Sequence, residues 1–276
     1  MSISFSSVLG AVYQYNRLQQ ANGAIAERLA AGKRYASPSD DPHMYNRISR
    51  FEADIARFDT YLQHMDEGLS VVSIASDAVT LQMETLERML ELAEKAGAGG
   101  TSASERAAYN EEYQKLLEEL DTIAGNATFN GQSLLDGTYG EEGEGFLVST
   151  GPGESFEIVF GNTTTGNDGL DLDGTQLTSA GQANSAAAKA EEALETLASL
   201  RSGYATDEFI IDSRSSLMES KQAELDRLVA SYQEIDPVRL SAELDRNQLL
   251  QQYALAAIAS TYGSQQSLVN LLFPPN

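Results

Sequence analysis

Apolar residues recur at alternating steps of three and four along the first third of the chain, for more than six heptads. Ser76 alone interrupts the pattern. This spacing is typical of a coiled-coil seam, in which one stripe of a helix faces its neighbours. A helix of about 50 residues would extend about 75 Å, a length that indicates a rod. The seam residues are Ile48, Phe51, Ile55, Phe58, Leu62, Met65, Leu69, Val72, Val79, Met83, Leu86, Leu90 and Ala93.

Two later segments repeat this helical pattern. The first should begin with a capping box formed by Ser102 and Glu105. Its apolar positions are Tyr109, Tyr113, Leu116, Leu120 and Ile123. The second has apolar residues seven apart at Leu197, Tyr204, Ile211, Met218, Leu225 and Tyr232. Its companion stripe (Leu194, Leu200, Leu217, Leu228 and Val229) is only partly apolar, so the pattern predicts a long helix without defining its register.

The two ends of the chain also have helical patterns, and an Asp-Pro pair separates each from the middle. These pairs are Asp41-Pro42 and Asp236-Pro237. Asp can cap a helix and Pro suits its first turn, so each pair predicts a helix start. Terminal helices of similar length, outside a longer helical body, predict that the two ends pack together.

Between the helices, a Gly- and Thr-rich segment is expected to hold a β-hairpin. Residues 146–150 and 155–160 alternate β-formers around Gly151-Pro152-Gly153-Glu154, which is typical of a hairpin turn. The predicted fold is mainly α, a long antiparallel coiled-coil-like helical bundle with a small β-hairpin at its distal tip. The predicted domains are 1–41 plus 237–276 for the paired ends, 42–136 plus 184–236 for the helical rod, and 137–183 for the hairpin and loops.

Composition narrows the functional classes. The 276 residues include 41 acidic and 18 basic side chains, a formal net charge of −23. Nucleic acids and anionic membranes attract clustered Lys and Arg, so neither is an expected partner. Any homopolymer of this chain must overcome like-charge repulsion, and its assembly should strengthen with added salt. The chain has no 18-residue apolar run and no recognisable signal peptide, so an extracellular location would require another export route.

The sequence predicts no enzyme, cofactor site or metal site. It contains no Cys and two His, His43 and His64, which are expected at a helix start and on a helix flank. The stretch 171–174 is similar to part of a calcium loop, but Gly169 and Ala180 occupy positions where that loop needs ligands. No phosphate-binding glycine loop and no nucleophile elbow is present.

Three segments resemble bacterial flagellins in the expected order. The first is 25–34 followed by Ser37-Pro38-Ser39-Asp40-Asp41-Pro42. The second is 120–135, in which Thr128-Phe129-Asn130-Gly131 and the following Leu134-Leu135 are similar to the Thr-x-Phe-Asn-Gly-x-x-Leu-Leu turn of flagellins. The third comprises 249–252 and 267–272. The resemblance covers residues 1–136 and 185–273. One departure is that the segment 38–42 is closer to the hook–filament junction proteins, which leaves a junction adaptor of the same family as the alternative.

The resemblance implies a structural subunit that polymerises into the flagellar filament for swimming motility, without a large outer domain. Its implied partners are further copies of itself, hook-associated and cap proteins, the flagellar export apparatus and a cytosolic export chaperone. The implied location is extracellular, after secretion without a cleaved signal peptide. Because a two-helix end domain buries one face of each helix, its remaining apolar residues should become ordered between subunits. The residues predicted for self-assembly are Val8, Val12, Leu18, Ile25, Leu29, Leu255, Ile258, Tyr262, Val269 and Leu272.

Overall fold

A computed structural model describes the backbone of residues 5–139 and 145–272, and the side chains of residues 9–139 and 145–260. These residues form long helices and short antiparallel strands, so the predicted fold class is confirmed. The helices are α1 (Phe5–Ala31), α2 (Pro42–Gly97), α3 (Ala103–Asn126), α4 (Ala180–Gln233) and α5 (Pro237–Leu272). The strands are β1 (Thr128–Phe129), β2 (Gln132–Ser133), β3 (Phe146–Gly151) and β4 (Glu154–Ile158).

The heptad seam of α2 is confirmed, because each of its apolar positions is buried or half-buried. Met65, Val72, Val79 and Leu86 have no exposed surface. The interruption at Ser76 is compensated by the preceding Ala75, which is itself fully buried. The companion stripe of α4 is less regular, since Leu217 points to solvent.

The predicted helix starts are confirmed by their hydrogen bonds. Asp41 Oδ1 accepts from the backbone N–H of His43 (3.0 Å) and Met44 (3.1 Å). Asp236 Oδ1 accepts from the N–H of Arg239 at 3.0 Å. Ser102 and Glu105 form the full reciprocal capping box at the start of α3. Helices α2, α3 and α5 therefore begin where a side chain accepts from their free N–H groups.

The chain divides into two compact units. The end unit comprises Met1–Ile55 and Ala223–Asn276, and the middle unit comprises Ala56–Gln222. These divisions lie within α2 and α4, whereas the domains expected from the sequence meet at helix ends, at 41/42 and 236/237. The three-part domain assignment stays a prediction.

The middle unit has a continuous apolar core. Gln82 is a buried polar residue within it, and its Nε2 donates to the backbone oxygens of Leu120 (3.1 Å) and Thr163 (3.0 Å). One side chain thus joins α2 to α3 and to the segment before α4. The largest fully buried side chains of this core are Met65, Leu86, Met89, Leu92, Tyr113, Leu120, Leu134, Leu135, Ile158, Leu172 and Tyr204.

The predicted hairpin exists as β3 and β4, which pair antiparallel. Pro152 and Gly153 form its turn, and Gly153 has a φ of 75°, which favours glycine. The pairing register shifts between Ser149 and Gly151. From α4, Arg214 Nη1 donates to Thr150 Oγ1 at 2.7 Å.

The position of the hairpin differs from the prediction of a distal tip. Val148 packs on Gly68, and Ile211 lies next to the same glycine; Gly68 and Ile211 are near the middle of α2 and α4. Helix α3 explains the difference, because its 24 residues carry the chain back from the end of α2 by about 36 Å before the hairpin begins. The segment 162–178 then returns along α3, bonded first to Asp121 and later to Asn110.

The sequence reading did not predict β1 and β2, which form a second, two-residue hairpin. Asn130 and Gly131, at φ of 49° and 80°, form its turn. Positive φ at both central residues matches the right-handed twist of paired strands, and Asn-Gly is the preferred pair there. The Phe-Asn-Gly motif of the resemblance therefore has a physical reason in this turn.

Candidate assembly surface

Helices α1 and α5 pair antiparallel in the end unit. The backbone N–H of Arg34, just after α1, donates to Gln233 O at 3.0 Å, and Asn22 Nδ2 donates to Gln251 Oε1 at 3.1 Å. The two helices therefore run in opposite directions. The facing positions are buried or half-buried and follow steps of three and four. On α1 they are Ala11, Tyr15, Leu18, Asn22, Ile25 and Leu29, and on α5 they are Leu240, Leu244, Asn247, Gln251, Ala254 and Ile258.

Both helices also carry large apolar side chains on surface that the chain leaves uncovered. Tyr13 on α1 is 69% exposed and Tyr253 on α5 is 64% exposed. Large apolar side chains that stay in solvent along both helices make this helix pair a candidate interaction site. We call this set the outward apolar residues: Leu9, Val12, Tyr13, Val238, Leu249, Leu250, Tyr253 and Leu255.

The structure separates the ten residues predicted for self-assembly into groups. Val12 and Leu255 are exposed, whereas Leu18, Leu29 and Ile258 are half-buried. Ile25 is 5% exposed and lies in the interior of the end unit. The side chains of Val8, Tyr262, Val269 and Leu272 lie outside the described residues. The role of these ten residues in assembly stays a prediction.

Sequence reasoning missed most of the outward apolar residues because it followed one stripe on each helix. Leu9 and Tyr13 are four residues apart and so lie on one helical face, as do Leu249 and Tyr253. Apolar residues on the face away from the seam were the available signal, since a helix that buries only one face needs only one apolar stripe.

The connection from α1 to α2 contains part of the first of the three segments that carried the resemblance. Gly32 ends α1 with a φ of 66°, the left-handed conformation that favours glycine after a helix. Lys33 pairs with Glu52 on α2 at 3.3 Å. The N–H of Tyr35 donates to Gln233 Oε1 at 3.4 Å, next to the bond that Arg34 makes to the same residue. This connection therefore anchors α1 to the end of α4.

Asp40 is a buried charged residue to which other parts of this connection are hydrogen-bonded. Its side chain is 6% exposed and accepts from Arg28 Nε (2.9 Å) and the N–H of Ser37 (3.0 Å). Burial opposes the charge of Asp40, but the hydrogen bonds from Ser37 and Arg28 outweigh it and lower the pKa of the carboxyl. The ionised form is therefore part of the folded end unit.

The two histidines and the calcium-like stretch, which were the residues considered for catalysis or metal binding, lie in places where their contacts are structural. His43 and His64 are exposed on helix α2. Asp171 in the calcium-like stretch is paired with the ammonium group of Lys189. The Nζ atom of Lys189 lies 3.0 Å from Asp171 Oδ2 and 2.8 Å from the Asp171 backbone oxygen. Among the described residues, no three His, Cys, Asp or Glu side chains converge as metal ligands. In the same part of the chain, no helix is long and apolar enough to cross a membrane.

Comparison with known proteins defines the class of this helical fold. Residues 9–140 match the family model described as the bacterial flagellin N-terminal helical region. Flagellin A of Vibrio cholerae is 32% identical over 177 residues, which are 63% of this chain and 46% of that protein. Polar flagellin F of Vibrio parahaemolyticus is 28% identical over 188 residues, 67% of this chain and 49% of that protein. The chain spans about half the length of these curated relatives.

Two solved structures share the fold. A crystal structure of Bacillus cereus flagellin matches with a TM-score of 0.50 and 24% identity, over 56% of this chain and 88% of that one. A putative flagellar hook-associated protein from Vibrio parahaemolyticus matches with a TM-score of 0.61 and 11% identity, over 71% of this chain and 100% of that one. Residues 9–140 are thus similar to the N-terminal helical region of the bacterial flagellins, and the resemblance expected from the sequence is confirmed.

Proposed function

We propose that the chain is a structural, non-catalytic subunit that polymerises into a bacterial flagellar filament and so serves swimming motility. The observation that carries the proposal is the set of outward apolar residues on α1 and α5, in a chain with a flagellin N-terminal helical region. At about 25 cal/mol per Å² of apolar surface, covering eight such side chains on every subunit is a substantial driving force. The occupant we propose is another copy of the chain.

The mechanism is folding coupled to assembly. Helices obtain most of their stability from tertiary contacts, and α1 and α5 offer one facing stripe each. In the monomer, the end unit should open readily, and neighbouring subunits should order it by covering Val12, Tyr13, Tyr253 and Leu255. Addition to an existing end then covers more surface than pairing of two monomers does. This favours growth over spontaneous nucleation.

The net charge of −23 sets the conditions for assembly. Exposed charges interact over about 10 Å at 0.1 M salt and over shorter distances at higher salt. Precipitating salts also strengthen the burial of apolar surface. Both effects favour polymerisation, so the concentration needed for assembly should fall as salt rises.

A junction adaptor between hook and filament is the second candidate, favoured by the segment 38–42 and by the fold shared with the hook-associated structure. An adaptor would bind a filament end without forming long homopolymers. In either role we propose the same surroundings: hook-associated and cap proteins, the flagellar export apparatus and a cytosolic export chaperone. The proposed location is the extracellular flagellum, reached without a cleaved signal peptide.

The test is seeded assembly of the purified chain. Ammonium sulfate and short filament seeds are added, and the product is examined by negative-stain electron microscopy. Long uniform filaments are expected. Persistent monomers, or short caps on the seeds, would contradict the filament role and favour the adaptor.

Matched variants connect this test to the outward apolar residues. Tyr13→Glu and Tyr253→Glu should each raise the protein concentration needed for growth by about tenfold or more, because a charge would be buried between subunits. Gln14→Glu and Gln252→Glu add the same charge at exposed neighbouring positions and should change that concentration much less. Equal effects in both pairs would show that added charge alone, and not this surface, limits assembly.

A further inference from the structure

Three amide side chains lie on the seam between α1 and α5, where coiled-coil packing favours apolar residues. Asn22 of α1 donates to Gln251 of α5, and Asn247 lies one turn before Gln251, 5% exposed. The Oδ1 atom of Asn22 is buried and accepts no hydrogen bond from the described protein atoms. A buried acceptor without a donor costs stability, so stability alone does not explain the presence of Asn22 here.

The apolar pattern of the two helices does not define a single alignment. Both stripes repeat every seven residues, so a slip of one heptad again places apolar residues opposite apolar residues. In a slipped pairing, however, Asn22 would face Leu244 or Ile258, and Gln251 would face Tyr15 or Leu29. Each amide would then be buried against an apolar side chain without its partner.

The bonds of Arg34 and Tyr35 to Gln233 fix one end of α1, and we propose that the Asn22–Gln251 pair specifies the register of the rest of α1 on α5 and excludes the one-heptad slips there. A single polar pair in an apolar seam can specify register at some cost in stability, and the unpartnered Oδ1 atom is that cost. The register decides which outward apolar residues of α1 lie beside those of α5. This inference concerns pairing within one chain, and it holds whether or not the chain forms filaments.

Disulfide trapping reports the register directly, because the chain has no Cys of its own. Leu18→Cys with Ala254→Cys lies one turn from the amide pair on each helix and reports the observed register. Ile25→Cys with Ala254→Cys reports a slip in one direction, and Ile25→Cys with Leu240→Cys reports the opposite slip. A slip of seven residues moves a helix by about 10 Å, beyond the distance at which two Cys can bridge.

Each reporter pair is placed in the full chain with three backgrounds: the native amides, Asn22→Leu/Gln251→Leu, and the control Gln19→Leu/Gln252→Leu. The control makes the same chemical change at exposed positions of the same helices. The chains are oxidised at the same salt concentration, and the closed fraction is measured by non-reducing electrophoresis and mass spectrometry.

In the native and control backgrounds, only the pair for the observed register should close. In Asn22→Leu/Gln251→Leu, closure of at least one slip pair should rise by about tenfold or more, as expected when the penalty for an unpartnered amide is removed. Closure of the observed-register pair alone in that background would overturn the proposal. Closure of none of the pairs would also overturn it, because the amides would then be needed for pairing itself.

Discussion

The two compact units bury their apolar residues in different ways. In the middle unit, three helical segments and a hairpin enclose a continuous core that includes Leu86, Tyr113 and Tyr204. In the end unit, the buried apolar side chains among the described residues are Ile25 and Ile48. The same kind of heptad sequence thus yields a closed core in one unit and an open helix pair in the other.

This difference shows what decides whether a helix pattern makes a self-sufficient fold. The helices of the middle unit share one continuous core, although side chains such as Phe209 stay exposed, whereas α1 and α5 bury one facing stripe each and keep most of their other apolar residues in solvent. Most helical stability comes from tertiary packing, so the middle unit should fold alone and the end unit should gain stability from other copies.

A truncation in the closed core should have the largest effect. Leu86→Ala removes a side chain with no exposed surface and should lower the free energy of unfolding by about 2–5 kcal/mol. Denaturant unfolding of the monomer measures it. Leu81→Ala, on the same helix at an exposed position, is the control and should change stability by about 0.5 kcal/mol or less. Similar losses for both would mean that the core is not closed.

Removal of the Asp40 charge should weaken the end unit. Asp40→Asn should cost about 1–3 kcal/mol, since Arg28 and Ser37 lose a charged, buried acceptor. Because folding lowers the pKa of Asp40, its contribution is present above the unfolded pKa of about 4 and is lost as pH falls through the lower folded value. Proteolysis of the 28–41 connection between pH 7 and pH 3 measures it. A variant with the same acid sensitivity as the native chain would contradict the assignment.

A methyl group at the hairpin contact should destabilise the middle unit by a smaller amount. The Cβ of Gly68→Ala would lie 2.5 Å from Val148 Cγ2, an overpacking that costs about 1–3 kcal/mol before the gain in helix propensity. Thermal unfolding measures the loss, and Val148→Ala in the same chain should restore part of it. Gly203→Ala is the control, because apart from its own turn of the helix no atom lies within 4 Å of the added methyl group, and stability should rise slightly. Equal effects at the two glycines would show that the hairpin does not press on α2.

Loss of the α3 cap should have the smallest effect. Ser102→Ala removes the side chain that accepts from the N–H of Glu105 and should cost about 1 kcal/mol. Ser104→Ala, two residues later on an exposed position of α3, is the matched control. Denaturant midpoints of the two variants should differ, and coincident midpoints would contradict a stabilising cap.

Local and periodic features were predictable from the sequence because they depend on neighbouring residues. The α2 seam, the caps at Asp41, Ser102 and Asp236, and the Pro152-Gly153 hairpin turn are of this kind. Long-range features were not. The position of the β3–β4 hairpin depends on the length of α3 and on the contact between the hairpin and Gly68. A pattern of alternating residues predicts neither of them.

The candidate site was predictable only in part for the same reason. A heptad stripe identifies the facing side of α1 and α5, and it contains Leu18, Ile25 and Ile258. It does not reveal that a second set, including Tyr13 and Tyr253, remains in solvent. The amides Asn22 and Gln251 interrupt the stripe in the sequence, but their hydrogen bond depends on the alignment of two helices more than 200 residues apart.

Hydrogen exchange in the monomer and in the salt-induced polymer tests the contrast between the units most directly. In the monomer, amides of α1 and α5 should exchange fast, while core amides of α2, α3 and α4 within the middle unit should be protected. Assembly should slow exchange in α1 and α5 by at least about a hundredfold and leave the middle unit nearly unchanged. Equal protection of both units in the monomer, or unchanged exchange of α1 and α5 after assembly, would contradict the account.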